Sequence, residues 1–226
     1  MSRGWPRADL MGRRVVIFAN GEREPLAFLL GVVRPGDVLL AVDGGASMAL
    51  AAGLSLDLVV GDFDSLPAAD LEILEGRTLI WRYPPEKDQS DLEIALEAAL
   101  ELKPPEIVVL GALGGRLDHL LMNISLLHRP HRAGVRARLL GAGGAAMLVD
   151  REEIIDAPPG TLVSILPLTP QVEGVVLDGL LYPLREETLG WGTSRGLSNV
   201  VVTAPARISV GAGTLLVIWL DPGPGT

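Results

Sequence analysis

Short apolar runs recur through the first half of the chain, at residues 14–19, 37–42, 56–60, 78–82, 106–111 and 135–141. Between them lie amphipathic stretches, near 25–33, 47–52, 68–75, 91–102 and 117–128. Strand-like runs alternating with helical patterns predict a parallel sheet covered on both faces. The clearest helix is "SDLEIALEAALEL". Leu92, Ala95, Leu96, Ala99 and Leu102 recur there at helical spacing. Ser90 and Glu93 form a capping-box pattern at its start, and "KPP" ends it.

The pattern changes near "GAGGAAM" at 141–147. Then come "MLVD", "EIID", "TLVSILPL", "VEGVVLD", "LLYPL", "NVVVTAPARISV" and "TLLVIWL", separated by Pro, Gly and Asp. Short β-rich runs without a helical period predict an antiparallel sandwich or jelly-roll-like domain. The expected fold is therefore α/β plus all-β. A Rossmann-like, three-layer parallel-sheet domain over 1–142 precedes an antiparallel β-sandwich over 143–226. "GAGGAA" at 141–146 opens no helix and reads as the linker.

Composition narrows the function classes. The 226 residues are enough to bury a core, and no apolar run approaches the ~18 residues of a membrane span. The start, "MSRGWPRADLMGRR", lacks the apolar segment of a secretory signal. Cysteine is absent, which excludes disulfides, thiol chemistry and thiolate zinc sites and suits a cytoplasmic protein. A net charge of -9 disfavours broad nucleic-acid binding. A small anionic substrate stays possible if a cation shields it. Lys87 and Lys103 are the only lysines, which draws attention to Lys87.

Polar motifs follow four of the predicted strands: "VDGGAS" (42–47), "GDFDSLP" (61–67), "PPEKDQSDLE" (84–93) and "GALGGRLDHLLMN" (111–123). The rim beyond the strand ends is where open α/β sheets bind ligands. Asp43 precedes Gly44 and Gly45, which would let backbone approach a ligand; the alternative is a helix cap with a glycine turn. Asp62 and Asp64 are spaced to point to one side of an extended segment, where they would repel by roughly 1–4 kcal/mol. A divalent cation such as Mg2+ removes that penalty, since it takes carboxylates together with phosphate oxygens. Alternatively, Asp64 or Ser65 caps the helix after Pro67. Asp88 and Asp91 flank the start of the best helix, a position the helix dipole favours for acids. Lys87 beside them could reach a phosphate or be a solvated loop lysine. Gly114 and Gly115 lead into a helix whose first N–H groups can hold phosphate, with Arg116 as a forked donor. Asp118 and His119 follow, and Asn123 shares a helix face with His119. The loop lacks the Gly-Lys-Ser/Thr of a Walker motif. Together these motifs predict a site for Mg2+ and a polyphosphate.

The order "DGGA", "GDFDS", "EKDQSDLEIAL", "GALGGRLDHLLMN", then "TSRGLSN" in the β-rich half, resembles the thiamine pyrophosphokinase family from about Val15 onward. The resemblance implies transfer of the terminal diphosphate of ATP to the hydroxyl of thiamine, giving thiamine diphosphate and AMP. It implies homodimers whose thiamine site is shared between subunits. It places Asp43, Asp62, Asp64 and Asp91 around Mg2+, and Lys87, Asp88, Gln89 and Ser90 on the nucleotide side with Gly44, Gly45, Gly114, Gly115 and Arg116. It places Asp118, His119, Asn123, Ser198 and Asn199 toward thiamine. Asp62, Asp91 and Arg116 would carry the chemistry, with Asp91 accepting the hydroxyl proton. The family packs an aromatic ring on thiamine. Val200–Val202 follow "SN" here, so Trp191 is the candidate, with Tyr182 behind it. Trp191 could instead belong to the sandwich core or a dimer interface. Three other classes use comparable residues. An Asp-x-Asp glycosyltransferase would leave the "SN" domain without a task. An Asp-nucleophile phosphatase carries its motif after the first strand, not the third. A nucleotide sensor would bind without turnover.

Overall fold

The structure, a computed structural model, describes residues 4–221. The chain divides into two compact units, Met1–Ala142 and Gly143–Thr226.

In the first unit a 3-10 turn at Ala8–Leu10 precedes alternating strands and helices. They are β1 (Val15–Phe18), α1 (Leu26–Val32), β2 (Val38–Val42), α2 (Gly45–Ala51), β3 (Leu58–Gly61) and α3 (Ala68–Leu74). Then come β4 (Leu79–Arg82), α4 (Asp91–Glu101), β5 (Glu106–Leu110), α5 (Leu117–Leu126), α6 (His128–Arg132) and β6 (Arg136–Gly141). The strands are parallel, in the order β6-β5-β1-β2-β3-β4. β1 is buried along its whole length, as are β2 and β3, which is why their sequences read as unbroken apolar runs. The order reverses between β1 and β5. The chain winds one way through β2, β3 and β4, then returns to the other side of β1. That reversal opens a crevice beyond the carboxyl ends of β1 and β5.

At the opposite ends of the strands, Arg14 pairs with Asp37 at 2.8 Å and Glu106 at 2.9 Å. Arg14 and Asp37 are almost fully buried there. This ion cluster closes the bottom of the sheet and leaves the chemistry to the other rim.

The second unit holds β7 (Gly144–Val149), β8 (Glu152–Ile155), β9 (Leu162–Pro167), β10 (Gln171–Asp178), β11 (Leu184–Gly190), β12 (Asn199–Val200), β13 (Ala206–Ser209) and β14 (Leu215–Leu220). They pair in the orders β12-β9-β14-β7 and β11-β10-β13-β8, each antiparallel. One apolar core draws Val149, Ile165 and Val217 from the first set and Val175, Leu189 and Ile208 from the second.

The structure amends three sequence expectations. "GAGGAA" is a linker only at Ala142–Gly143, because Gly144–Ala146 enter β7 and pair with β14. "LLYPL" is not a strand beyond its last residue; β11 starts at Leu184 and continues through the polar "REETLG". Polar residues face water on that edge strand, so apolar content alone could not reveal it. "NVVVTAPARISV" is split into β12 and β13 by a turn around Pro205.

Candidate active site

The rim above the switch point carries a cleft of about 720 Å3. Five loops supply it, with residues of α4 and α5. Asn20, Gly21 and Glu22 follow β1, Asp43 follows β2, Asp62 follows β3, and Gly111, Ala112, Gly114, Gly115 and Arg116 follow β5. Lys87, Gln89, Ser90 and Asp91 come from the entry to α4, and His119, Met122 and Asn123 from α5.

Asp43 sits in the left-handed backbone region, at φ 44. That conformation is uncommon outside glycine, although aspartate tolerates it. Its carboxylate does not cap α2, whose first turn receives no side-chain cap. Instead Oδ1 accepts the Phe63 N–H at 3.2 Å, which ties the end of β2 to the "GDFDS" turn. Gly61 makes this possible, for a Cβ there would lie 1.7 Å from Asp43 Oδ1. Burial pushes the Asp43 carboxyl up to about 6, and the charges of Asp91, Asp62 and Asp64 push the same way, while the Phe63 N–H opposes them.

The expectation of an extended Asp62-Phe63-Asp64 segment is not met. Phe63 lies at φ 66, so the segment turns. Asp62 Oδ1 accepts the Asp64 N–H at 3.0 Å. Asp62 lines the cleft, whereas Asp64 is exposed outside its lining. The Phe63 ring is buried under the Arg82 guanidinium, 4.9 Å from its centroid, and this anchors the turn. Neither Asp64 nor Ser65 caps α3, which starts after Pro67 without a side-chain cap.

Lys87 is drawn inward. It pairs with Asp91 at 3.1 Å, and its Nζ donates to the Pro84 carbonyl at 3.2 Å. Asp91 Oδ1 is buried and makes no well-aligned hydrogen bond despite that ion pair. Ser90 caps α4, accepting the Glu93 N–H at 3.2 Å. Asp88 is exposed and outside the cleft lining.

Gly44 and Gly45 line a separate cavity of about 110 Å3 with Asn20, Ser47 and Ser65. Their lack of side chains answers to packing. A Cβ on Gly45 would lie 2.1 Å from the Phe18 carbonyl, and one on Gly44 2.4 Å from Asn20 Oδ1. Asn20 in turn donates to Ser65 Oγ at 2.8 Å.

In the glycine loop, Glu22 accepts the Gly115 N–H at 3.1 Å. Arg116 turns to Asp118 and forms a two-pronged pair at 3.1 and 2.6 Å. That hydrogen bond holds the Asp118 carboxyl down at about 2. Asp118 lies outside the cleft lining; His119 and Asn123 lie within it. Asn123 Nδ2 donates to the Ala112 carbonyl at 3.0 Å and fixes α5 against the loop after β5.

The remaining candidates belong to the second unit. Trp191 is 68% exposed, so it is no core residue of that unit. Tyr182 is exposed too. Ser198 is exposed, at φ 55, and its N–H donates to Ser164 Oγ at 3.0 Å. Asn199 is 2% exposed, and its amide is engaged by backbone. Oδ1 accepts the Tyr182 and Val200 N–H groups at 2.9 Å each, and Nδ2 donates to the Tyr182 carbonyl at 2.8 Å. Its structural task is to hold the Tyr182 loop.

Asn20, Gly21, Glu22 and Met122 line the cleft without having been singled out in the sequence. The first three had a readable signal. "NGE" directly follows the first apolar run, and the first strand of a doubly wound sheet borders the switch point.

A parallel α/β unit with acids, a lysine, an arginine and a glycine loop at its switch point has the make-up of a phosphate-binding α/β protein. Two family profiles match: "Thiamin pyrophosphokinase, catalytic domain" over residues 32–139 and "Thiamin pyrophosphokinase, vitamin B1 binding domain" over 149–215. The chain belongs to the thiamin pyrophosphokinase family. It is 29% identical over 218 residues to the thiamine pyrophosphokinase of Bacillus subtilis, covering 91% of this chain and 98% of that one. The crystal structure of thiamine pyrophosphokinase from B. subtilis superposes with a TM-score of 0.84 at 27% identity, over 93% of this chain and 100% of that one. A thiamin pyrophosphokinase family protein from Enterococcus faecalis gives 0.78 at 31% identity, over 93% and 99%.

Proposed function

We propose that this protein is a thiamine diphosphokinase, transferring the diphosphate of ATP to thiamine and releasing AMP. The observation that carries the proposal is the convergence of Asp43, Asp62, Lys87, Asp91 and Arg116 on one cleft in a chain matched by both the catalytic and the vitamin-binding profiles. The first unit is read as a Rossmann-like three-layer domain and the second as a β-sandwich. The active form is a cytoplasmic homodimer. Among the described residues no helix is long and apolar enough to cross a membrane.

Mg2+ fits the donor set. Burial raises the Asp43 carboxyl to about 6, the charges of Asp91, Asp62 and Asp64 add in the same direction, and all four acids offer hard oxygen ligands. Among the described residues no three acids or histidines converge into a complete metal site. That suits an ion held by one or two carboxylates, with phosphate and water completing its shell. One or two of Asp43, Asp62 and Asp91 would hold it from the cleft, whereas Asp64 lies on the turn outside that lining. When bound, the ion neutralises charge on the phosphate oxygens.

The thiamine hydroxyl oxygen attacks the β-phosphorus of ATP. The bond from that phosphorus to the oxygen bridging the α-phosphate breaks, and AMP leaves with that oxygen. Asp91 accepts the hydroxyl proton, oriented by Lys87. Arg116 swings from Asp118 to the phosphate oxygens; the exposure of both side chains leaves room for the exchange. Gly114 and Gly115 bring backbone close to the same oxygens, and the Lys87 loop with Asp88, Gln89 and Ser90 borders the nucleotide. In this reading thiamine is bound by His119 and Asn123 of the first unit and by Ser198 and the ring of Trp191 of the second, with Asn199 acting through the Tyr182 loop. The test is incubation of the purified protein with thiamine, ATP and Mg2+. Thiamine diphosphate and AMP should form in equal amounts; ADP as the nucleotide product, or turnover independent of thiamine, would sink the reading.

A further inference from the structure

Gln89 lines the cleft immediately before the cap of α4. Its side chain is held from behind. The amide nitrogen donates to Glu93 Oε1 at 3.2 Å and to Glu97 Oε1 at 3.0 Å. An amide can usually be turned end for end without visible consequence. Here chemistry removes the choice. Ionised carboxylates only accept, so the nitrogen must face them and the carbonyl oxygen must face away.

Glu93 and Glu97 lie one helical turn apart, where like charges repel. Arg129, on α6, resolves this. Its guanidinium lies 2.7 Å from Glu97 and also pairs with Glu93. Glu93 is further held through its N–H by the Ser90 cap. Arg129, two carboxylates and one amide thus form a closed clasp across α4 and α6. Among the described residues Gln89 makes side-chain hydrogen bonds only through its nitrogen.

We propose that Gln89 Oε1 is a fixed hydrogen-bond acceptor in the cleft, recognising an N–H or O–H group of a substrate, and that Arg129 is the positioning residue that fixes it. The inference rests on the proposed function, and it names a specificity element of that site. The donor is an amino or hydroxyl group carried by the nucleotide or by thiamine. A freely turning amide would accept or donate equally well; the clasp makes it discriminate.

The test is steady-state kinetics on the full chain with Gln89→Met, Arg129→Met and the double variant, each checked by thermal melting. Gln89→Met should raise the KM of one substrate about tenfold, with a smaller change in kcat, as expected for one lost hydrogen bond. Arg129→Met should raise the same KM about threefold. The double variant should match Gln89→Met alone, because Arg129 acts through Gln89. The substrate whose KM moves identifies the source. If it is the nucleotide, inosine triphosphate (no base amino group) and 2′-deoxy-ATP (no ribose hydroxyl) locate the donor, since the wild-type penalty against one of them should vanish in Gln89→Met. Unchanged KM values in Gln89→Met, or a double variant equal to the product of the single effects, overturn the proposal. If Gln89→Met melts early, Gln89→Ala replaces it under the same criteria. Wild-type protein without thiamine-dependent AMP release would fail the functional reading alone; calorimetric binding of ATP and of thiamine to wild type and Gln89→Met then decides the acceptor separately.

Discussion

At the scale of single residues, the site is governed by how little room surrounds Asp43. Its carboxylate lies where any side chain on residue 61 would be, so Gly61→Ala should displace it. A displacement of about 1 Å can cost roughly 100-fold in rate. The variant is therefore expected to lose about that much kcat/KM while keeping its far-UV circular dichroism; near-normal turnover would remove Asp43 from the chemistry. The same crowding sets a pH dependence. Asp43 is raised from 3.8 to about 6, so the folded chain binds this proton more tightly than the unfolded chain. Its contribution to stability is therefore complete at low pH and declines as pH rises from about 4 to about 6. A cation needs the ionised carboxylate. Magnesium should accordingly raise the melting temperature more at about pH 7.5 than at about pH 5.5, measured by scanning calorimetry.

At the scale of elements, the strands and helices of the first unit were legible to within a residue or two, because full burial makes the central strands β1, β2 and β3 continuous apolar runs. The cap of α4 was legible as well. Ser90 accepts the Glu93 N–H, although the Glu93 carboxylate serves Gln89 and Arg129 instead of closing the box. The short α6 was not legible, since the helical pattern of the sequence ends at residue 128 and Pro130 interrupts it within His128–Arg132. Strand β11 was missed because its polar face looks like a loop. Elements also explain the ion cluster at the bottom of the sheet, where Arg14 joins the starts of β1, β2 and β5. Arg14→Leu takes the cation from the buried Asp37, while Glu106 keeps Arg136 and Arg138, and this should cost about 3 kcal/mol in urea unfolding. Turnover per folded molecule should stay at the wild-type level, because the cluster lies at the far ends of the strands.

At the scale of the whole molecule, the net charge of -9 becomes a functional property. Thiamine is a cation, and an acidic protein concentrates it near the cleft. Raising ionic strength from about 0.05 to 0.5 M shortens the Debye length severalfold. The kcat/KM for thiamine should fall severalfold across that range in stopped or continuous assays, and a salt-independent value would show that steering plays no part.

Alternation of strands with helices, the change to β-rich runs near residue 142, and the polar motifs after each parallel strand are local patterns of side-chain chemistry. The chain therefore determined them without reference to its folded form. Which motif residues meet was decided only by tertiary structure, because it depends on strand order and backbone turns. The reversal between β5 and β1 brought Asn20 and Glu22 to the glycine loop, residues separated from it by most of the unit. The left-handed turn at Phe63 separated Asp62 from Asp64, sending one into the cleft and the other to the surface. Packing of α6 on α4 brought Arg129 to the glutamates that hold the Gln89 amide, and the turn after Leu180 gave Asn199 backbone partners at Tyr182. Sequence spacing records which groups are available; the accounting of hydrogen bonds and burial in the fold assigns them their partners.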